Sequence, residues 1–337
     1  MYAHILTAGA QSHARHNTLK KEKETTAVYD IICIGVALVD SLIKGFDPEP
    51  ISASGFRAVS GSLSVGGEAV NEAAAAAKLG MRTGIICSLG EDEAGEMVLS
   101  ALRRSGADTS LVIRSAEHPT PVTTMFVNDD GTRKSITNLA HRHNFHPEKY
   151  AGSFMDTRAL ILGSLFRAPF DDPEIIHSVI SGASKAGVLV FADTKLPNFT
   201  KLGLEDIRES LPLIDYITPN EDEARYYTGK DDPAEMAEVF LGFGVKNVII
   251  KLGGKGCLLA NREMSLRLPA CRIEAVDATG AGDCFLAGFA SEILRGSGAE
   301  AALRFGNACG AICTTAVGAG TALRDREQVL SFLADQA

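Results

Sequence analysis

The sequence contains no tryptophan, and only 6% of its 337 residues are aromatic. Its longest apolar stretches fall far short of the roughly 18 to 20 residues that a membrane span requires, because charged residues interrupt them. The net charge is −9, so the chain also lacks the basic excess with which proteins neutralise a phosphate backbone. These absences argue against a membrane protein and against a general nucleic-acid-binding surface.

The cysteines lack the spacing of a metal or redox site. There are seven of them, and no two form a Cys-x-x-Cys pair. Scattered cysteines in apolar runs are typical of buried thiols in a reducing compartment. Residues 1–27 contain several charged residues and develop no apolar signal-peptide core. We therefore expect a cytoplasmic protein with a mobile N-terminal extension at residues 1–27.

From residue 28 onward, short aliphatic runs alternate with longer amphipathic segments. This alternation predicts an α/β fold whose mainly parallel sheet is covered by helices on both faces. We place buried strands at 30–35, 83–89, 159–163, 187–192, 214–218 and 247–252. We place helices at 68–79, 93–104, 173–185 and 233–243. Regions 38–63 and 111–136 alternate with period two and contain turn signals, so we expect two antiparallel hairpins that form a small β-sheet lid over a site.

The strongest local signal is the segment 277–283, which reads Asp-Ala-Thr-Gly-Ala-Gly-Asp and runs directly into an apolar helical pattern. Gly280 and Gly282 would let the backbone approach a phosphate closely, and the helix N-terminus would add its dipole. Asp283 in the first turn would lie beside that phosphate, where a carboxylate can act as a general base. The alternative is a tight turn in which Asp283 only caps the helix.

A second glycine pair, Gly66 and Gly67, also precedes a helix. Asn71 in the first turn of that helix would offer both a donor and an acceptor to a polyhydroxy ligand. Asp40 ends an aliphatic run and could accept hydrogen bonds from two sugar hydroxyls, although a strand-end turn residue is the simpler interpretation. Arg133, in the second hairpin, could reach a substrate, but a solvated hairpin charge is the commoner case.

Two further segments follow predicted strands. Asn220 and Glu223 are three residues apart, so they can share a helix face, and their oxygens suit Mg²⁺ held largely through water; a helix capping motif is the alternative. Lys251 precedes Gly253, Gly254 and Gly256, a loop of the kind that approaches a nucleotide. The chain contains no Walker A motif, and no Rossmann glycine motif follows the first strand, which weakens a dehydrogenase interpretation.

Together these motifs resemble the ribokinase-like carbohydrate kinases, also called the PfkB family, over roughly residues 28–333. The resemblance implies one kinase domain at 28–333, a three-layer α/β sandwich with a β lid. It implies that Asp283 is the catalytic base, with the backbone of Gly280, Ala281 and Gly282 as anion hole. Further implied assignments are the sugar pocket (Asp40, Gly66, Gly67, Asn71), the Mg²⁺ and phosphate site (Asn220, Glu223), the nucleotide site (Lys195, Lys251, Gly253, Gly254, Gly256, Asn307) and a K⁺ site (Asp277, Thr279).

The sequence departs from the family pattern at two positions. Glu68 follows the glycine pair where close ribokinases carry Lys, and Lys195 stands where many sugar kinases carry Asn. Both departures argue against ribose itself as the substrate. The spacing of His141, His143 and His146 would suit three zinc ligands, but no periodicity holds them together, so an exposed loop is favoured.

The resulting prediction is an ATP-dependent sugar kinase that requires Mg²⁺ and binds a small-molecule sugar. A nucleoside kinase of the same fold is the alternative, for which Phe56 and Phe126 are the candidate base-stacking residues. A nucleotide-binding protein without turnover is a third. We also expect an edge of the lid to pair with a second subunit in a homodimer.

Overall fold

The computed structural model describes residues 28–44, 58–127, 133–138, 145–198 and 200–336. The extension predicted at 1–27 lies outside the described residues. The strands, in chain order, are β1 (Tyr29–Ile34), β2 (Leu38–Lys44), β3 (Ser60–Gly66), β4 (Thr83–Ile86), β5 (Ser88–Gly90), β6 (Ile113–Ser115), β7 (Val122–Val127), β8 (Arg133–Thr137), β9 (Thr157–Leu165), β10 (Leu189–Thr194), β11 (Tyr216–Ile217), β12 (Asn247–Lys251), β13 (Cys257–Asn261) and β14 (Ser265–Leu268). The helices are α1 (Glu68–Lys78), α2 (Glu93–Ser105), α3 (Pro173–Lys185), α4 (Glu221–Thr228), α5 (Pro233–Gly242), α6 (Ala281–Leu294), α7 (Ala299–Cys313) and α8 (Arg326–Asp335).

The main sheet has eight strands in the order β14-β13-β12-β11-β10-β9-β1-β4. The strands from β12 to β4 are parallel to one another, and β13 and β14 add an antiparallel edge. The central strands are aliphatic along their whole length because helices cover both faces; Ile31 and Ile32, which point to opposite faces, are both fully buried. The predicted α/β class is confirmed.

Buried side chains form one core on each face of this sheet. One core contains residues of α1, α2, α6, α7 and α8, and the other contains residues of α3, α4 and α5. Local chemistry fixes the helix ends: Asp92 caps α2 by accepting from the Gly95 N–H, and Gly106 ends it in the left-handed region. None of the described helices combines the length and the apolar character needed to cross a membrane.

A second, four-stranded sheet has the order β3-β2-β7-β8. The pairs β2–β3 and β7–β8 are antiparallel, as predicted for the two hairpins, and the pair β2–β7 joins them in parallel. The predicted boundary at residue 111 differs from the structure, where the second hairpin begins at Val122. The intervening strand β6 pairs with β5 and not with the small sheet. The single strand predicted at 83–89 is therefore two strands in the structure, β4 and β5.

Candidate active site

All the predicted site residues except Arg133 line one cavity of about 1760 Å³ between the small sheet and the carboxyl ends of the main-sheet strands. Such ends are the usual ligand-binding edge of an open parallel sheet. Arg133 is the first residue of β8, and its side chain is not among those described. Of the three histidines considered as zinc ligands, His141 and His143 lie outside the described residues, and His146 pairs with Glu148 at 3.3 Å.

The glycine turn before α6 opens the helix as the sequence predicts. Gly280 is the N-cap residue with φ +77°, a conformation that glycine adopts without strain, and no side chain caps the helix. Asp283 therefore makes no capping hydrogen bond, and as the acidic residue of the first turn it can still interact with the dipole of α6. The Ala281 N–H forms a turn hydrogen bond of 3.2 Å to the carbonyl of Ala278.

Asp283 is buried against α1, where Asn71 donates a hydrogen bond of 2.7 Å to its Oδ2 atom. Burial raises the pKa of Asp283 to about 6. The carboxylates of Glu68 and Asp193 act in the same direction, whereas the Lys195 ammonium and the Asn71 hydrogen bond oppose the rise in this pKa. The result is a carboxylate that is ionised at neutral pH and still basic enough to accept a proton.

Two lysines bring positive charge to this point. Lys251, at the end of β12, forms an ion pair of 2.5 Å with the buried Asp193 at the end of β10. Its ammonium also lies against Gly282, where an added Cβ would be 3.1 Å from Nζ. Lys195 lies 3.4 Å from Glu68 and 3.9 Å from Asp193. Burial lowers the pKa of Lys195, but the surrounding carboxylates, chiefly Glu68, raise it by more, so this side chain is a cation.

The sugar end of the cavity, as assigned from the sequence, is formed by Asp40, Gly66, Gly67 and Asn71. Asp40 lies in the middle of β2, between strands β3 and β7. Gly67, with φ +98°, lies against the carbonyl of Val36 and requires glycine, whereas a Cβ on Gly66 would displace the Asp40 carboxylate. Burial and then the charge of Glu68 raise the pKa of Asp40 to about 6.

Asn220 and Glu223 form a capping box at the start of α4. Asn220 Oδ1 accepts from the Glu223 N–H at 2.9 Å, and Glu223 Oε2 accepts from the Asn220 N–H and from Thr194 Oγ1, each at 2.9 Å. The capping alternative is therefore confirmed, and both residues also line the cavity. Burial, followed by the charge of Asp193, raises the pKa of Glu223.

The glycine loop that contains Gly253, Gly254 and Gly256 is a tight turn between β12 and β13. Gly256 has φ +96°, and a Cβ there would overlap the carbonyl of Leu268. Asn307, on α7, donates a hydrogen bond of 2.8 Å to the carbonyl of Pro269, so it helps to hold the chain that leaves β14.

Asp277 ties the glycine turn to a second loop. Its Oδ1 atom accepts from the backbone and the hydroxyl of Thr279 at 3.0 and 2.7 Å, and its Oδ2 atom accepts from the Gly318 N–H at 2.9 Å. Sequence reasoning did not assign the loop 314–320 to the site, although Gly318 and Gly320 were a usable signal. It also assigned no role in the site to Asp193 or Glu72, whose neighbours become apparent only when α1, β10 and α6 meet.

The main sheet, the small sheet and the cavity between them define a ribokinase-like fold. The family model described as pfkB family carbohydrate kinase matches residues 27–326, and the chain belongs to this family. It is therefore a phosphotransferase with an alcohol group as acceptor, and a kinase of the carbohydrate class.

Relatives of this chain act on different sugars. It is 29% identical over 279 residues to a ribokinase of Haemophilus influenzae, which covers 80% of this chain and 88% of the relative. It is 28% identical over 323 residues to an ATP-dependent 6-phosphofructokinase of Thermoanaerobacterium thermosaccharolyticum, covering 90% and 94%. The structure of Arabidopsis thaliana ribokinase complexed with ribose and ATP matches with a TM-score of 0.80 at 26% identity, covering 91% of this chain and 99% of the other.

Proposed function

We propose that this chain transfers the γ-phosphoryl group of ATP to a hydroxyl of a sugar, with Asp283 as the general base. The observation that carries this proposal is the position of Asp283, a buried carboxylate in the first turn of α6 and directly beside the glycine turn. A base with a pKa of about 6 can take a proton from a hydroxyl as that oxygen attacks phosphorus. Helix α6, through the backbone of Gly280, Ala281 and Gly282, would bind the phosphoryl oxygens, for which the Ala281 N–H would exchange its 3.2 Å turn bond to the Ala278 carbonyl for a phosphoryl oxygen.

The lysines would stabilise charge during transfer. Lys251 lies against Gly282, and Lys195 lies within the group of carboxylates that surrounds Asp283. Two ammonium groups, one beside Gly282 and one among the carboxylates around Asp283, can counter the negative charge on a transferring phosphoryl group, and burial strengthens that interaction. We assign the nucleotide to the adjoining part of the cavity, lined by Gly253, Gly254, Gly256 and Asn307.

The donor set at the start of α4 fits Mg²⁺. Glu223 uses Oε2 for the capping box and for Thr194, so Oε1 remains for water molecules around the ion, and Asn220 adds an amide oxygen nearby. When bound with ATP, Mg²⁺ supplies charge neutralisation at the phosphates. The protein residues orient the nucleotide and keep its phosphates in line with the acceptor hydroxyl.

We further propose that the acceptor is a neutral sugar. The charges beside the described sugar end come from Asp40 and Glu68, which are carboxylates, from Lys195, which is already paired with Glu68, and from Arg167, whose Nε donates to the Leu196 carbonyl at 2.6 Å. The small sheet adds uncharged hydrogen-bonding side chains: Ser62, Ser64, Thr123, Ser135, Thr137 and Asn138. This lining accepts and donates hydrogen bonds to hydroxyls but places carboxylates opposite any phosphate or carboxylate on a sugar.

A screen of ATP consumption with the purified protein tests both proposals. We expect turnover with one or more neutral sugars and little with sugar phosphates, sugar acids or nucleosides. A preference for an anionic sugar would overturn the substrate class alone, and a preference for a nucleoside would support the alternative kinase. Absence of turnover with all four classes would overturn the kinase proposal.

The variant Asp40→Asn should weaken sugar binding. It keeps the shape that Gly66 accommodates but loses the charge that strengthens hydrogen bonds from hydroxyls, so we expect KM for the sugar to rise about 10- to 100-fold with a smaller change in kcat. Because the pKa of Asp40 is about 6, the wild-type KM should also rise as pH falls below 6, and Asp40→Asn should lose this dependence. A sugar KM unaffected by the substitution would contradict the assignment.

We propose a K⁺ site beside the glycine turn, organised by Asp277 and Thr279. The supporting observation is that Asp277 joins this turn to loop 314–320, so an ion there would brace both loops. Adding K⁺ to a Na⁺-buffered assay should increase kcat, and Asp277→Asn should reduce that increase while turnover without K⁺ persists. Equal activation of both proteins would contradict this site.

We also propose a homodimer through the small sheet. Its edge strands β3 and β8 carry the exposed side chains Leu63 and Ile136, which a second copy could cover. Sedimentation velocity tests this proposal, and a monomer at micromolar concentration would contradict it.

A further inference from the structure

Glu72 lies behind the cavity, on the inner face of α1, one residue after Asn71. Its side chain is fully buried, and neither carboxyl oxygen has a hydrogen-bond partner within the described part of the chain. A Cβ added to Gly163 would be 3.0 Å from Glu72 Oε2, so the backbone of β9 packs directly against the Glu72 carboxyl group. A buried and unpaired carboxyl group is costly unless it is neutral or satisfied in some other way.

Two other buried carboxylates lie close to Glu72. One carboxyl oxygen each of Glu72, Asp193 and Asp283 lies within 4.8 Å of the other two. Glu68, on the preceding turn of α1, also faces this group, and Cys33 on β1 is a further titratable neighbour. The opposing charge comes from Lys195.

The lysines are already committed to other carboxylates. Lys251 is paired with Asp193, and Lys195 lies between Glu68 and Asp193. An ionised Glu72 would be an additional buried charge among like charges, and burial together with Asp283, Asp193 and Glu68 raises its pKa well above the ordinary value. A divalent ion bound by Glu72, Asp193 and Asp283 would lie against these two ammonium groups and be repelled by them. A proton on Glu72 is therefore the better way to neutralise its charge.

We propose that Glu72 is a positioning residue, a neutral carboxyl that donates a hydrogen bond to Asp283 from the protein interior. Asn71 and Glu72 are consecutive residues of α1, so one helix turn would hold Asp283 with two donors and leave its outer face toward the cavity. A carboxyl-to-carboxylate hydrogen bond is among the stronger ones because the acceptor is charged. The role at Asp283 rests on the function proposed above, whereas the neutral state of Glu72 does not.

The pH dependence of stability tests the neutral state. The folded chain must hold a proton on Glu72 that the unfolded chain releases above the ordinary pKa of 4.5, so wild-type stability falls with rising pH relative to a neutral Glu72→Gln variant. The difference Tm(Glu72→Gln) − Tm(wild type) should therefore grow between about pH 5 and 8. A difference that stays constant or shrinks would overturn the proposal.

Glu292→Gln is the matched control, because Glu292 is also buried on the face of the sheet that carries α1 and α6. It is paired with Arg326 at 2.8 Å, and although burial acts to raise its pKa, the bonds from Arg326 and Ser297 lower it. Both the folded and unfolded chains then carry an ionised Glu292 above about pH 5.5. This variant should be less stable than the wild type by a nearly constant amount between about pH 6 and 8.

Kinetics test the role at Asp283. Glu72→Gln keeps a neutral donor and should retain kcat within about threefold, with the acid limb of the kcat profile in place. Glu72→Leu, of similar volume and without a donor, should lower kcat about tenfold or more with KM for the sugar little changed and Tm not reduced. Full activity of Glu72→Leu, or an acid limb shifted to lower pH in Glu72→Gln, would overturn the positioning role.

Two further outcomes separate the possibilities. Binding of Mn²⁺ without nucleotide, measured by electron paramagnetic resonance and lost in Glu72→Gln, would show that a metal ion and not a proton neutralises Glu72. This result would overturn the proposal. Wild-type kcat in an Asp283→Asn enzyme, together with the expected pH dependence of stability, would remove the proposed function while leaving Glu72 neutral.

Discussion

Replacing Asp283 by Asn should lower kcat about 10²- to 10⁴-fold, which is the usual contribution of a general base. The amide has the size of the carboxyl group and can still accept the hydrogen bond from Asn71, so affinity for sugar and ATP should change little. Burial disfavours the charged form of Asp283, so the neutral variant should melt at or above the wild-type temperature.

The pH profile gives an independent measurement of the same group. With a pKa of about 6, Asp283 should impose an acid limb on the wild-type kcat, which falls about tenfold per unit below that pH. The residual activity of Asp283→Asn should lack this limb. Asp232→Asn is a suitable control, because Asp232 caps α5 and Asn retains that capping, so its kcat should match the wild type.

An Asp283→Asn enzyme with wild-type kcat at saturating substrates and a normal melting transition would contradict the assignment. Asp283 makes no capping hydrogen bond to α6, so the remaining competing explanation is a structural role through the helix dipole, which the melting transition would reveal. Loss of activity without loss of stability would therefore identify a chemical role for the carboxylate.

The sequence predicted this helix start because its signals are local. The glycines before α6, the apolar periodicity after them and the strands whose ends carry Asp193 and Lys251 are all readable from neighbouring residues. The sheet class followed from the same alternation. The start of the second hairpin could not be predicted in this way. Strands β6 and β7 share the period-two character, and only long-range pairing assigns β6 to β5.

The group of buried charges could not be predicted from local patterns. Glu72 follows a helical apolar spacing as a polar exception, and nothing near it in sequence indicates that Asp193 and Asp283 lie within 4.8 Å. The partners come from three elements that are separated by about a hundred residues each. Their interaction is set by the packing of α1 and α6 on the end of β10, which is a property of the tertiary fold.

The second large effect should follow from Lys251→Met. Lys251 neutralises Asp193, which is 1% exposed. When the ammonium is removed, the described partners of the Asp193 carboxylate are the Thr218 hydroxyl at 2.8 Å and Lys195 at 3.9 Å. A buried carboxylate left without its partner typically costs about 3–5 kcal/mol, so urea unfolding should show a loss of that order. Because the ammonium also lies against Gly282, KM for ATP should rise and kcat should fall.

The double variant Asp193→Asn with Lys251→Met separates these two consequences. A neutral amide at 193 no longer needs the ammonium, so most of the lost stability should return, whereas the activity should stay low because the charge beside Gly282 is still absent. Lys255→Met is the matched control for stability, since Lys255 pairs with Glu221 at an exposed position, where an ion pair contributes roughly 0–1 kcal/mol. If the double variant regained activity along with stability, Lys251 would be a structural partner of Asp193, and its proposed role at the transferring phosphoryl group would be withdrawn.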